Sequence, residues 1–120
     1  MRDYRKIAAW KLADDLAVAV YSVTRTFPRE EIYGLTAQVR RAAYSVAANI
    51  VEGSARGTKR DYLHFLHIAR ASLSETQYFV HLARRLELLK NEAAVALEVQ
   101  ISTAFACLHS LIEAVQREVS

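Results

Sequence analysis

The sequence predicts an all-α protein, an antiparallel up-down-up-down four-helix bundle formed by a single domain over residues 1–120. Three glycines and one proline in 120 residues are too few for the turns of a β-protein. Apolar residues make up 52% and charged residues 24%, a composition that supports a packed core and excludes disorder. Apolar side chains also recur at three- and four-residue spacing over long segments, which is typical of core-facing helices.

The first two helices are expected at residues 4–26 and 34–55. The apolar face of helix 1 contains Leu12, Leu16, Val20 and Val23. Pro28 ends this helix, because proline pushes the preceding residue out of helical geometry. Gly53 marks the end of helix 2 or a sharp bend, after an apolar face formed by Leu35, Val39, Ala42, Val46 and Ile50.

The last two helices are expected at residues 58–89 and 91–118, with Thr58 and Asn91 as their N-caps. Helix 3 carries a sustained core stripe of Tyr62, Phe65, Ala69, Ser72, Thr76, Phe79, Ala83 and Leu86. Helix 4 carries Leu97, Ile101, Ala104, Phe105, Leu108, Leu111, Ile112 and Val115. Short connections favour antiparallel neighbours. Further apolar residues beside these stripes, such as Tyr78, Val95 and Val99, indicate a second buried face and therefore an oligomer.

The compartment is predicted from the cysteine content and the apolar runs. The single cysteine, Cys107, cannot form an intramolecular disulfide and suits a reducing environment. The amino-terminal residues are charged where a signal peptide needs an apolar run. The chain has no run of 18 consecutive apolar residues, so we expect a cytoplasmic protein with no membrane contact.

Basic residues cluster around the end of helix 2. In the window 40–60 only Glu52 opposes five cations, Arg40, Arg41, Arg56, Lys59 and Arg60. Guanidinium groups bind phosphate and carboxylate equally well. The cluster therefore has two interpretations: it binds RNA, DNA or another anionic partner, or it is a solvated surface with ion pairs to neighbouring carboxylates.

Polar side chains also recur along one stripe of helix 2 and beside the core face of helix 3. Because buried polar groups need partners, we expect them to bond one another and to fix helix packing or an oligomer contact; ligand binding is the alternative. The residues of this structural polar network are Gln38, Ser45, Asn49 and Glu52 on helix 2, with Ser72 and Glu75 on helix 3.

Motifs for metal binding and catalysis are weak. Glu-x-x-His pairs of di-iron bundles are absent, and the spacing of His64 and His67 alone does not predict a metal site, so we expect no metal and no cofactor. Arg60 followed by His67 resembles the Arg-x(4–6)-His signature of HEPN-type ribonucleases, which would imply phosphate contact by the arginine and proton transfer by the histidine. We nevertheless expect no enzyme, since no nucleophile motif is present.

The chain resembles the four-helix bundle proteins of the 23S rRNA intervening-sequence family, also called S23 ribosomal proteins, over nearly its whole length. The amino-terminal block is Tyr4-Arg5-Lys6-Ile7 to Trp10, and the central block begins Phe27-Pro28-x-x-Glu31-x-Tyr33-Gly34-Leu35. It continues through Gln38, Arg40-Arg41-Ala42, Ser45-Val46, Asn49-Ile50-x-Glu52-Gly53 and Arg56. The third block is Phe65-Leu66-x-Ile68-Ala69-Arg70 and Ser72-Leu73-x-Glu75. Two residues depart from the pattern: Ala47 replaces a frequent proline and Ala71 a frequent glycine.

This resemblance implies a homopentamer of antiparallel bundles. The family's founding members are encoded inside insertions in 23S rRNA genes. The chain is also similar to the accessory variability proteins of diversity-generating retroelements, basic pentameric barrels that engage a reverse transcriptase and nucleic acid. We therefore expect a non-enzymatic oligomeric adaptor that binds RNA, DNA or a nucleic-acid enzyme. The alternatives are a purely structural homo-oligomer and a HEPN-like ribonuclease that uses Arg60 and His67.

Overall fold

The computed structural model describes residues 2–119 and is all-helical in this range. The four α-helices are α1 (Ala8–Thr24), α2 (Leu35–Ser54), α3 (Lys59–Arg85) and α4 (Asn91–Glu118). Two 3-10 turns, Tyr4–Lys6 and Arg29–Glu31, precede α1 and α2. The described part measures 47 × 24 × 21 Å, and the predicted class of four helices around a core is confirmed.

Each helix packs against its neighbour in the chain, and α1 also packs against α4, so that the four helices enclose one core. The core is filled mostly by leucine, isoleucine, valine and alanine side chains. The interface between α2 and α3 is the most extensive. Gly53 lies against Tyr62 and Phe65, whereas Ser45, two turns earlier on α2, contacts Ser72, further along α3.

Helix α1 begins four residues later than the sequence pattern predicts. The carboxylate of Asp3 accepts hydrogen bonds from the backbone N–H of Arg5 at 3.1 Å and from its Nε at 3.0 Å. These bonds hold Tyr4–Lys6 in a 3-10 turn, and Ile7 is extended before the helix starts. The same hydrogen bonds lower the pKa of the Asp3 carboxyl. The predicted range of residues 4–26 is therefore too long at both ends, since α1 ends at Thr24.

The junction between α2 and α3 is a tight crossing built around Gly53. A Cβ atom on Gly53 would lie 2.9 Å from the Phe65 Cβ, 3.0 Å from the Tyr62 Cδ1 and 3.2 Å from the Tyr62 carbonyl oxygen. Gly53 itself is helical and α2 ends one residue later at Ser54, so of the two predicted possibilities the helix end is the one observed. The glycine also permits the close approach of the two helices. Thr58 caps α3 as predicted, because its Oγ1 accepts a hydrogen bond from the Asp61 N–H at 3.1 Å.

The carboxyl end of α3 is closed by a Schellman motif that ends the helix at Arg85 instead of residue 89. The Leu88 N–H donates to the Ala83 carbonyl at 2.9 Å, and the Glu87 N–H donates to the Arg84 carbonyl at 3.0 Å. Glu87 takes the left-handed conformation this motif needs, with a φ of 60°. The predicted inward position of Leu86 is wrong, since this side chain is 53% exposed beyond the last helical turn.

The start of α4 also differs from the prediction. Asn91 is its first helical residue and Lys90 takes the N-cap position without a side-chain hydrogen bond. The Asn91 side-chain oxygen instead accepts a hydrogen bond from the guanidinium of Arg84. The Asn91 side chain therefore connects α3 to α4, and no side chain caps the first turn of α4.

Helix α4 is apolar on more than its core face. An 18-residue window of α4 has a mean hydropathy of 1.5, so the helix is long and apolar enough to cross a membrane. Core helices of bundles meet the same criterion. Only 28% of that window is buried. Val95 and Val99 are exposed, as is Val18 on the adjacent α1. These two packed helices therefore carry exposed apolar side chains.

Candidate polar network and basic surfaces

A small hydrogen-bonded network joins α2 to α3 near the middle of both helices. The Ser45 and Ser72 hydroxyl oxygens lie 3.0 Å apart. The Asn49 side-chain amide donates to the Ser45 carbonyl at 2.8 Å and to the Ser45 hydroxyl at 3.0 Å. Ser72 is buried and the other two are half-buried. The structure thus brings together three of the six residues predicted for the network.

The other three predicted members do not join these bonds. Gln38 and Glu75 are exposed and line a surface pocket of about 290 Å³ next to Ser45, together with Arg41. Glu52 points away and forms an exposed ion pair with Arg56 at 3.7 Å. The stripe predicted from the sequence therefore divides into an internal network, an open pocket and a surface ion pair.

The five predicted nucleic-acid-binding residues lie in separate regions of the surface. Arg56, Lys59 and Arg60 are exposed at the junction of α2 and α3. Arg40 lies in α2, and Arg56 follows the end of that helix. The sixteen residues between their positions correspond to a separation of roughly 24 Å along the helix axis. Arg41 lies beside the 290 Å³ pocket. The cations therefore form at least two distinct basic surfaces.

The basic junction is defined by Arg56, Lys59 and Arg60 together with Arg2, which the sequence pattern did not indicate. The Arg2 guanidinium donates to the Arg56 carbonyl at 3.1 Å and stacks 4.3 Å from the Tyr62 ring centroid. Arg56 lies 4.6 Å above the Phe65 ring. Lys59 pairs with Glu118 at 3.2 Å, whereas Arg60 has no carboxylate within 4.0 Å among residues 2–119.

Tyr62 lies beneath this junction. Burial raises the pKa of its hydroxyl, and the positive charge of Arg2 opposes that rise. The ring therefore serves as an apolar platform for the Arg2 guanidinium, and it connects the segment before α1 to the start of α3. No sequence pattern could place Arg2 here, because the contact spans more than fifty residues.

Arg40 is held at the other end of α2, against α1. Its Nε donates to the Thr24 hydroxyl at 2.8 Å, and its guanidinium lies 4.6 Å from the Tyr21 ring centroid. A pocket of about 380 Å³ opens beside it and is also lined by Arg25 and Arg29. No sequence pattern indicated these two arginines, which flank the helix break at Phe27 and Pro28.

The contact that the structure gives His67 is with Arg70, on the next turn of α3, and not with Arg60. The His67 Nδ1 lies 3.0 Å from a guanidinium nitrogen of Arg70. Arg60 is two helical turns away, roughly 10 Å along α3. Within residues 2–119, no three histidine, cysteine or acidic side chains are grouped so that they could hold a metal ion.

The fold and these surfaces define a small four-helix bundle protein with a basic interhelical junction and exposed valines on α1 and α4. The family model of the 23S rRNA-intervening sequence proteins matches residues 5–110. The chain therefore belongs to that family, as its sequence blocks indicated.

A solved structure supports the fold. It is a protein of unknown function of the S23 ribosomal protein family from Bacteroides thetaiotaomicron VPI-5482. The two chains are 23% identical and superpose with a TM-score of 0.81, over 88% of this chain and 95% of that one. No protein of curated function matches the sequence. The similarity to accessory variability proteins stays a prediction.

Proposed function

We propose that this protein is a non-enzymatic adaptor that binds RNA or DNA, or an enzyme acting on nucleic acid, through its basic surfaces. The observation that carries the proposal is the basic junction. Residues 55–61 are all exposed, and this turn presents Arg56, Lys59 and Arg60 together at one end of the bundle. The family's name, which links it to 23S rRNA genes, agrees with a partner of this kind.

The chemistry of the junction favours backbone phosphates over bases. Its cations project from a turn and from the first residues of α3, and the aromatic rings beneath them are covered by Arg2 and Arg56. Stacking on bases needs free aromatic faces. Phosphate contacts instead need only accessible cations, and they position a nucleic acid without reading its sequence.

The second part of the proposal is assembly. We propose a homopentamer of antiparallel up-down-up-down bundles in the cytoplasm, without membrane contact. The uncovered valines of α1 and α4 support a second copy as the occupant of that face, because apolar surface of this kind marks interfaces. Five subunits of +3 each carry +15, which strengthens attraction to a polyanion if the junctions are grouped at one end.

The test measures binding of a fluorescent RNA hairpin and a duplex DNA across a salt series. We expect affinity to fall steeply with salt, since each neutralised duplex phosphate contributes about 0.9 to the logarithmic slope. The double variant Lys59→Gln/Arg60→Gln should weaken binding and flatten the slope. Arg85→Gln/Lys90→Gln, which also removes two exposed positive charges but at and just beyond the opposite end of α3, is the matched control. No binding at low salt would contradict the nucleic-acid role.

The same samples decide between this role and a purely structural oligomer. Mass in solution gives the number of subunits, and a pull-down with cellular RNA reports a partner. The structural alternative predicts a stable oligomer that retains no nucleic acid and that dissociates when Arg40 and Arg41 become alanine. The contacts of His67 give no support to the ribonuclease alternative, and His67→Ala should leave any RNA cleavage in the preparation unchanged.

A further inference from the structure

The pocket between the end of α1 and the start of α2 contains three arginines and no acidic side chain. Arg25, Arg29 and Arg40 line its 380 Å³ volume. None of the three guanidinium groups has a carboxylate within 4.0 Å in the part of the chain that the structure describes. Three cationic side chains therefore line one cavity without a counter-charge, and an anion that enters it would be attracted by all three.

Arg40 is oriented before any ligand binds. The Thr24 hydroxyl donates to the Val20 carbonyl at 2.7 Å and accepts from the Arg40 Nε at 2.8 Å. The Tyr21 ring supports the guanidinium plane from one side. Nε is therefore engaged, and the two terminal nitrogens remain to form the parallel pair of hydrogen bonds that an oxyanion accepts.

The two acidic residues that follow Arg29 in the chain do not line the pocket. The Glu31 carboxylate accepts a hydrogen bond from the Leu35 N–H at 3.1 Å and so satisfies the start of α2. Glu30 is exposed and does not line the pocket. Half-buried Arg40 therefore has a hydroxyl and an aromatic ring as partners but no counter-charge within 4.0 Å among residues 2–119.

Thr36 gives an independent sign of a missing partner. Its side chain is 5% exposed and lines the same pocket. Among the described residues its Oγ1 is the single buried side-chain oxygen or nitrogen without a hydrogen bond. Buried hydroxyls are nearly always satisfied, and an oxyanion in the pocket, or a water it orders, would supply the acceptor.

We propose that this pocket is an oxyanion site that binds a phosphate group through Arg40, Arg25 and Arg29. Phosphate fits because its several oxygens accept from more than one guanidinium at once. This site adds to the proposed function, and the source of the phosphate rests on that function. If the protein binds nucleic acid, the phosphate belongs to the backbone or to an end of that nucleic acid. The alternative source is a free phosphate or pyrophosphate, whose binding needs no adaptor role.

The first experiment titrates the full chain with pyrophosphate and orthophosphate by calorimetry at low ionic strength. Arg40→Gln, Arg40→Lys and Thr24→Val are compared with Arg117→Gln, which changes the same charge on α4. We expect Arg40→Gln to weaken pyrophosphate binding roughly 10- to 100-fold, from the loss of charge-assisted hydrogen bonds. Arg40→Lys should lose most of the affinity despite its charge, and Thr24→Val should lose part of it. Equal affinity of all four variants for pyrophosphate would overturn the site.

A second arm identifies the source and separates this site from the basic junction. Binding of one RNA hairpin, with and without a 5′-phosphate, is measured for Arg40→Gln and for Lys59→Gln/Arg60→Gln. Loss of RNA affinity in Arg40→Gln supports a nucleic-acid phosphate. If pyrophosphate binds but RNA does not, the oxyanion site is supported and the proposed adaptor role is contradicted. RNA binding that Arg40→Gln leaves intact, with no pyrophosphate binding, overturns the site alone. If Arg40→Gln instead dissociates the oligomer and pyrophosphate does not bind, a carboxylate of a second copy fills the pocket, which also overturns it.

Discussion

Replacing Gly53 with alanine tests whether close contact of α2 and α3 fixes the bundle. The added Cβ would lie 2.9 Å from the Phe65 Cβ and 3.2 Å from the Tyr62 carbonyl oxygen. Neither atom belongs to a flexible side-chain end, so the helices must move apart. Overpacking of this kind costs about 1–3 kcal/mol, whereas alanine gains about 1 kcal/mol over glycine in helix propensity. We expect a net loss of up to about 2 kcal/mol in the free energy of unfolding.

Gly57→Ala provides the control, because a Cβ on Gly57 meets nothing within 4 Å. Its effect should lie between zero and a gain of about 1 kcal/mol. Both variants are unfolded in urea and followed by circular dichroism at one protein concentration, since oligomer stability depends on concentration. If Gly53→Ala matches or exceeds the wild-type stability, the helix crossing is not sterically limited and the reasoning fails.

Three further predictions concern other contacts. Glu87→Gly should raise the free energy of unfolding by up to about 1 kcal/mol, because glycine adopts the left-handed conformation without steric cost; an unchanged urea midpoint would refute this. A double-mutant cycle of Ser45→Ala and Ser72→Ala should give a coupling energy of about 0.5–1 kcal/mol, and zero coupling would show that the two hydroxyls are not partners. The raised pKa of Tyr62 means that the folded state holds the phenol proton more tightly than the unfolded chain. Stability is then fully present below the unfolded pKa and declines above about pH 10, and Tyr62→Phe should lose less stability than the wild type in titrations between about pH 9 and 11.

The helices were predictable because long apolar stripes dominate the local preferences of the chain. Leu16, Ala69 and Ile101 are fully buried on the faces that periodicity assigns to them. The ends of helices were less predictable, since a few side-chain hydrogen bonds decide them. Asp3 caps the start of a 3-10 turn before α1. Glu87 closes α3 in the left-handed conformation, where a glycine in the sequence would have indicated the helix end.

The sequence indicated which residues form the candidate sites, but it predicted only partly which of these residues lie together in the fold. The sequence correctly joined Ser45, Asn49 and Ser72, because four-residue spacing and the facing helix bring them together. It grouped Arg40 with Arg56 by charge alone, although they lie at opposite ends of α2. The basic pocket depends on contacts across the Phe27–Pro28 break, where no helical periodicity connects the two sides.

The order of helix contacts has a consequence for the kinetics of folding. In residues 2–119 helices pack against their neighbours in the chain, and the contact of α1 with α4 is the one interface between helices distant in sequence. Low contact order of this kind goes with fast folding. The α2–α3 hairpin has the largest interface and a connection of four residues, 55–58. We therefore expect the α2–α3 pair to form first during folding. The entropic cost of closing a long loop then applies only to the docking of α1 against α4.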